Sequence, residues 1–401
     1  MRQPRAFPLA ATVLAASLTL AACGGDSPAD SPDSPKDSPD SAPFSATDNA
    51  DDRTTTGASA PRNGGGERIT LGFAGDVHFE AQVAGLLGAS DASWRQKLPE
   101  LAAADYAVVN MEAAITDRGR PQNKPYTFRV PPSSLDKLKL AGVDAVTAAN
   151  NHAVDYGRAG LEQTLAFKPN SPLPIIGIGA NAAEAFAPLT VDIKGVNTAV
   201  LASSEIYEET AMNWSASDDH PGIATNLDST RLREATRKAA AEHDLVVVFM
   251  HWGTEGSTCP NERQQNTVRE LKADGADIVV GTHAHRPQGN GWSDRTFVGY
   301  GLGNFIWYNT KVESRSSGVL TVEVDAAAAK ARGQAEGAAR MTPESLVTDW
   351  TWTPKRIAGS GEPMSVTGEA LANYQARAKA AQQCTDVTTK RPEGDATRAA
   401  P

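Results

Sequence analysis

The chain has 401 residues and a formal net charge of −10, with the apolar and aromatic content of an ordinary globular protein. The acidic balance argues against a nucleic-acid scaffold, because binding phosphates needs a basic surface. Both ends are polar and pattern-poor, which leaves about 290 residues (67–358) for a folded body, one large domain or two small ones.

Arg2 and Arg5 precede an apolar run from Leu9 to Leu20. That run is too short for a comfortable permanent membrane span. It ends in Leu20-Ala21-Ala22-Cys23, the pattern of a lipoprotein signal with residues 1–22 removed and a lipid placed on Cys23. Such a chain would be lipid-anchored at the extracytoplasmic face of the cell membrane. In residues 23–66 the unit Asp-Ser-Pro recurs at Asp26, Asp30, Asp33 and Asp37. With almost nothing apolar to bury, this stretch reads as a disordered tether.

Order is expected from Arg68. Ile69, Leu71 and Phe73 alternate as in a strand that runs into Gly75-Asp76-Val77-His78. Tyr106–Val109 reads as a strand ending at Asn110-Met111-Glu112. Ser134–Leu140 reads as a helix, and Ala145–Ala148 leads into Asn150-Asn151-His152. Ile175–Ile178 is a buried strand; Leu189–Ile193 and Thr198–Ala202 form a hairpin turning at Gly195-Val196-Asn197. Helix Thr230–Glu242, strand Leu245–Met250, helix Asn261–Ala273 and strand Ile278–Val280 follow, the two strands ending at His251 and at His283-Ala284-His285. Thr296–Val298, Val319–Val324 and Ser345–Trp352 are later strands, and the polar tail (359–401) holds a possible helix at 367–383. Alternating strands and helices make the class α/β.

Asp76, Glu112, Asn151, His251 and His283 all sit at the carboxyl ends of expected strands. In an open α/β sheet those ends face one crevice. Carboxylates, an amide and imidazoles together suit Mn, Fe or Zn better than Ca or Mg. Asp76, His78, Glu112, Asn151, His251, His283 and His285 are too many ligands for one tetrahedral ion and suit two divalent ions sharing a carboxylate. Two such ions activate a water and polarise a phosphoryl or carbonyl group. Five of the seven histidines fall at these strand ends; His220 and His243 do not. His283 and His285, two apart on an extended segment, are expected to point the same way.

The series GDVHFE, NMEAAIT, NNHAVDYG, HWGTEG, GTHAHRPQG and GYGLGNF, in this order over roughly residues 69–308, resembles the bacterial capsule synthesis protein family CapA, the poly-γ-glutamate synthesis family. That family is similar in turn to calcineurin-like metallophosphoesterases. The resemblance implies a two-sheet sandwich flanked by helices and a dinuclear metal site. It implies metal ligation by Asp76, His78, Asn151, His251, His283 and His285, a bridging Glu112, and a proton-donating His152. Where phosphoesterases carry a bridging aspartate this chain has Glu112, and no acid follows Asn151-His152 directly; Asp155, three residues on, is the candidate replacement. Glu255 is a candidate base or substrate contact. Arg129 and Asn304 are candidate substrate contacts, set against a surface arginine and a turn-holding asparagine. Trp252 and Trp307 either wall the cleft or belong to the core.

The expected role is capsule or poly-γ-glutamate-like envelope polymer biosynthesis or processing, acting on an envelope polymer or phosphoester, with a capsule synthesis complex as partner. Two rival readings are a non-catalytic subunit that binds polymer or partner, and a secreted metal-dependent phosphodiesterase. Cys259 and Cys384 form a disulfide outside the cytoplasm or stay as two thiols, and the sequence leaves both open.

Overall fold

The computed structural model describes residues 67–308, 312–340 and 344–393. The expected signal segment, Cys23 and the expected tether therefore lie outside the described residues.

Two sheets are built mainly from buried strands. The first holds, among the described residues, β1 (Arg68–Val77), β2 (Tyr106–Met111), β3 (Ala145–Thr147) and β4 (Ile175–Ile176) in parallel sequence. The second is centred on β6 (Val196–Ser204), β7 (Leu245–Trp252) and β8 (Ile278–His283), also parallel, with β5 (Leu189–Ile193) antiparallel on β6. At its other edge β9 (Asn290–Ser293) pairs antiparallel with β10 (Thr296–Gly299), which lies parallel to β8. Leu245-Val246-Val247-Val248-Phe249-Met250 is a continuous apolar run because β7 is covered on both faces. The first sheet is extended beside β1 by β11 (Asn304–Ile306) and, antiparallel, by β12 (Ser316–Asp325), β13 (Val347–Ile357) and β14 (Pro363–Ser365).

Ile69, Leu71 and Phe73 of β1, Leu320 and Val322 of β12, Val200 of β6, Val247 and Phe249 of β7 and Val280 of β8 share one core between the sheets. The outer face of the first sheet is covered by α1 (Ser134–Leu140) and α2 (Gly157–Phe167), through Leu135, Leu138 and Leu161. The outer face of the second is covered by α3 (Thr230–Glu242) and α4 (Glu262–Ala273), through Leu232, Ala239, Val268 and Leu271. The fold is thus the two-sheet sandwich flanked by helices that the resemblance implies.

The β5–β6 hairpin is tighter than its sequence suggests. The turn is Lys194-Gly195 alone, with φ of 51° and 81°. A two-residue turn with both φ values positive matches the twist of paired strands, so Val196 and Asn197 are already in β6.

Past residue 358 the chain forms β14 and then α5 (Gly368–Gln383). Beyond α5 the Thr388 backbone exchanges two hydrogen bonds with Trp292. Cys384, at the end of α5, is disulfide-bonded to Cys259 in the loop after β7, with Cα atoms 5.6 Å apart and a separation of 125 positions in sequence. Closing so long a loop removes much freedom from the unfolded chain. The double substitution Cys259→Ser, Cys384→Ser is expected to lower stability by about 2–5 kcal/mol, measured by urea unfolding against the parent.

Candidate metal centre

Parallel pairing brings the carboxyl ends of β1, β2 and β3 to one edge of the first sheet, and those of β6, β7 and β8 to one edge of the second. Asp76, His251 and His283 are the last or next-to-last residues of their strands, and His78, Glu112, Asn151 and His152 follow theirs closely. Gly75 makes the approach at β1 possible: a Cβ there would stand 1.7 Å from the Gly303 carbonyl oxygen, the acceptor for the Asp76 N–H at 3.0 Å.

Two groups of potential ligand atoms lie within 4.8 Å of one another: Glu112, His251 and His283, and Asp76, Glu112 and His285. Glu112 belongs to both. Asn151 joins them through its side-chain oxygen, 2.8 Å from His251 Nε2. The His78 Nδ1 accepts the Glu80 N–H, which leaves its Nε2 buried without a partner, and the ring packs against Phe128, Trp307 and Tyr308. His78 stands outside both groups but turns its free nitrogen into the same buried region.

His283 and His285 reach the site by a different route from an extended strand. Their φ values are 86° and 53°, in the left-handed region that costs a non-glycine residue on the order of 1–3 kcal/mol. The backbone turns at both positions. His283 Nδ1 lies 3.2 Å from His251 Nε2, and His285 Nδ1 lies 3.2 Å from Asp76 Oδ2. Strain at two adjoining ligand positions is characteristic of a site that the surrounding fold over-determines.

The electrostatics are those of a site built for cations. Burial holds the His251 and His78 imidazoles well below the ordinary histidine range, helped at His251 by His283 and at His78 by His152. Burial takes His283 down to about 3, with His285 adding to the effect. Burial opposes ionisation of Asp76 as well, yet hydrogen bonds from His285, Asn110 and Thr282 hold its carboxyl below the usual value. Burial, then the charge of Asp76, pushes Glu112 far up. Both Glu112 oxygens are fully buried and lack a hydrogen-bond partner. A bare carboxylate in that position is costly. Cations are the partners its oxygens lack, and neutral imidazoles are the form in which histidine binds them, so the residues fit a divalent metal.

His152 is set up differently. Its Nδ1 lies 2.6 Å from Asp155 Oδ2, while its Nε2 faces Glu112 Oε1 at 4.0 Å. Asp155 thus supplies the acidic partner that the sequence lacks directly after His152. Burial lowers the His152 pKa, and Asp155 works against that shift. Behind the pair, Lys124 Nζ is 2.9 Å from Asp155 Oδ1 and donates to the Asn151 carbonyl at 2.7 Å. Glu208 accepts from the Asn151 side-chain N–H at 3.0 Å. That contact turns the amide oxygen of Asn151 toward His251. Asn110 donates to Asp76 Oδ1 and accepts from Thr147 and Asn150. Lys124 and Glu208 were not singled out from sequence. Both sit in segments without periodicity, and only the folded loops bring them to Asn151.

The remaining candidates divide. Glu255 is exposed in the loop after β7, close enough for its charge to favour protonation of Glu112 and His285. Asn304 is buried on β11 opposite Asp76, and its amide donates to the Ser314 carbonyl. Arg129 is exposed, with its guanidinium 4.8 Å from the centre of the Tyr156 ring. Trp307 walls the site against His78 and His285, whereas Trp252 is core and donates to the Tyr300 carbonyl.

The chain is 28% identical to the PGA biosynthesis protein CapA of Bacillus subtilis (strain 168) over 258 residues, 63% of this chain and 67% of that protein. It is 28% identical to the capsule biosynthesis protein CapA of Bacillus anthracis over 258 residues, 61% of this chain and 62% of that protein. Among solved structures, a novel phosphatase from Mycoplasma pneumoniae aligns with a TM-score of 0.46 at 14% identity, covering 78% of this chain and 97% of that one. A 5′-nucleotidase from Candida albicans SC5314 aligns with a TM-score of 0.39 at 10% identity, covering 79% of this chain and 58% of that one. The architecture described above rests on this chain's own strand pairing. The model of the bacterial capsule synthesis protein family PGA_cap matches residues 70–309, more than half of the chain and every candidate strand-end ligand described here, and the chain belongs to that family.

Proposed function

We propose that the chain is a metal-dependent hydrolase of the cell envelope that processes a poly-γ-glutamate-like polymer, held at the outer face of the membrane by a lipid on Cys23. The observation that carries the hydrolase reading is Glu112, a buried carboxylate with two unpartnered oxygens shared by two ligand groups. One divalent ion would be held by Glu112, His251 and His283 with Asn151. A second would be held by Asp76, Glu112 and His285, with His78 beside them. Bound ions of this type polarise the bond under attack and activate water. The chain's own contribution is proton control. Asp155 keeps a proton on His152 Nδ1, so that Nε2 faces the centre and can deliver a proton to a leaving group. Trp307, Phe128 and Tyr308 close the site against bulk water on the His78 side.

The test uses the purified full-length protein, with bound metal measured and hydrolysis of γ-glutamyl oligomers and phosphodiesters followed. His152→Ala is expected to retain metal and to lose about 10²–10⁴-fold in rate. Cleavage of γ-glutamyl oligomers alone supports the proposal, and cleavage of phosphodiesters alone transfers it to a phosphodiesterase. Bound metal with no hydrolysis of either class leaves a binding subunit, and absence of metal removes the centre altogether. For the anchor, Cys23→Ser is expected to move the protein from the membrane fraction to the medium; an unchanged distribution would refute it.

A further inference from the structure

A second site lies at the same end of the first sheet. The antiparallel register places Ala74 of β1 opposite Val319 of β12. Ser316 at the start of β12 therefore stands near the level at which β1 delivers Asp76. There a pocket of about 250 Å³ opens between β12, β13 and α5. Arg315, Arg356 and Arg377 all line it, together with Ser316, Asn373 and Tyr374, and among the described residues no Asp or Glu does.

Three arginines converge on this pocket. The chain carries 48 acidic against 38 basic side chains, and several of its other arginines are paired with acids. Arg68 pairs with Glu323, Arg231 with Asp218, Arg233 and Arg237 with Asp274, and Arg332 with Asp277. Among the residues whose side chains are described, no carboxylate lies within ion-pair distance of Arg315, Arg356 or Arg377. Among the described residues the Arg315 Nε is buried without an acceptor, and Arg377 donates to the Ser316 hydroxyl at 3.4 Å. The walls are firm. Tyr374 donates its hydroxyl proton to the Ser317 carbonyl and accepts from the Trp352 indole N–H, and the disulfide fixes the far end of α5. Guanidinium groups on a rigid frame suit bidentate recognition of carboxylates.

We propose that this pocket is a binding subsite for a polycarboxylate chain, separate from the metal centre and on the same rim, where it holds an acidic polymer while another stretch of that polymer enters the centre. The identity of the polymer rests on the reading under Proposed function; the anion site itself does not.

The test measures binding of poly-γ-glutamate oligomers to the full-length protein in the presence of a chelator, so that carboxylate–metal contacts make no contribution. The parent is expected to bind in a manner that weakens with salt. The triple variant Arg315→Gln, Arg356→Gln, Arg377→Gln is expected to bind at least tenfold more weakly. Since Arg315 is half-buried, the charge reversal Arg356→Glu, Arg377→Glu at two exposed positions gives the same reading without touching it. Inorganic phosphate is expected to compete only at concentrations far above that of the polymer's carboxylates. Equal polymer binding by the parent and both variants overturns the proposal. So does phosphate competing as well as the polymer, which would mark a small-anion site. Loss of hydrolysis or of metal with the arginine-dependent binding intact counts against the hydrolase reading alone.

Discussion

Glu112→Gln is expected to empty the centre of metal and, in the same experiment, to make the metal-free protein more stable than its parent. The two effects share one cause. Glu112 is fully buried, and neither of its oxygens has a hydrogen-bond partner. Burial, then the neighbouring charge of Asp76, raises its carboxyl well above the ordinary glutamate range. In the unfolded chain the group ionises at ordinary values. The metal-free native state therefore binds this proton more tightly than the unfolded state does. Stability is full below the unfolded value and falls as the pH rises through and above it. Glutamine keeps the shape and carries no charge, so the variant escapes that loss. The expected gain at neutral pH is on the order of 1–3 kcal/mol, the scale of an unsatisfied buried polar group.

Metal reverses the comparison. A ligand that binds only the native state adds about 2.7 kcal/mol at a hundred times its Kd. The parent is expected to gain this on addition of Mn or Zn, and Glu112→Gln is expected to gain little, because both ligand groups lose their shared carboxylate. Thermal unfolding with and without chelator, combined with metal analysis, reads both signs. A variant that binds as much metal as the parent, or a parent whose unfolding temperature ignores metal, would refute the assignment of Glu112.

The convergence of the candidate ligands was legible in the sequence because parallel strands deliver their carboxyl ends to one edge. Glu112 and His251 needed only that rule and the strands before them. His283 and His285 were placed at the site for a partly mistaken reason. Alternation along an extended segment does not aim their rings; two left-handed backbone positions do, and no period in a sequence encodes those. Asp155 was visible only through the family pattern that it departs from, and its 2.6 Å contact with His152 depends on how the turn before α2 folds back. Arg129 shows another limit: it is exposed and lies over the ring of Tyr156, 27 residues away in sequence, a contact its own neighbourhood does not indicate. Lys124 and the pocket arginines gave no sequence signal at all. What distinguishes them is the company they keep in space: acids around one, none among the described side chains around the others.

Lys124 is where the second large effect is expected. Its side chain is 4% exposed and that of Asp155 is fully buried, so the pair at 2.9 Å is shielded from solvent screening. Removing one partner of such a pair leaves an uncompensated buried charge, which costs about 3–5 kcal/mol. Lys124→Met should therefore lower the unfolding temperature by roughly 10 °C. Asp155 also accepts the Phe128 N–H and holds His152, so the carboxylate stays tethered in place without its cation. Lys124 depresses the affinity of His152 for a proton, while Asp155 supports it. With the lysine gone, the His152 imidazole in the metal-free protein should titrate at higher pH, which proton-detected NMR can follow. The double variant Lys124→Met, Asp155→Asn removes both charges and should recover part of the lost stability, because contacting residues in one network do not add. Strictly additive losses in that cycle, or an unmoved His152 titration, would show that Lys124 merely fills space and does not set the charge on which His152 depends.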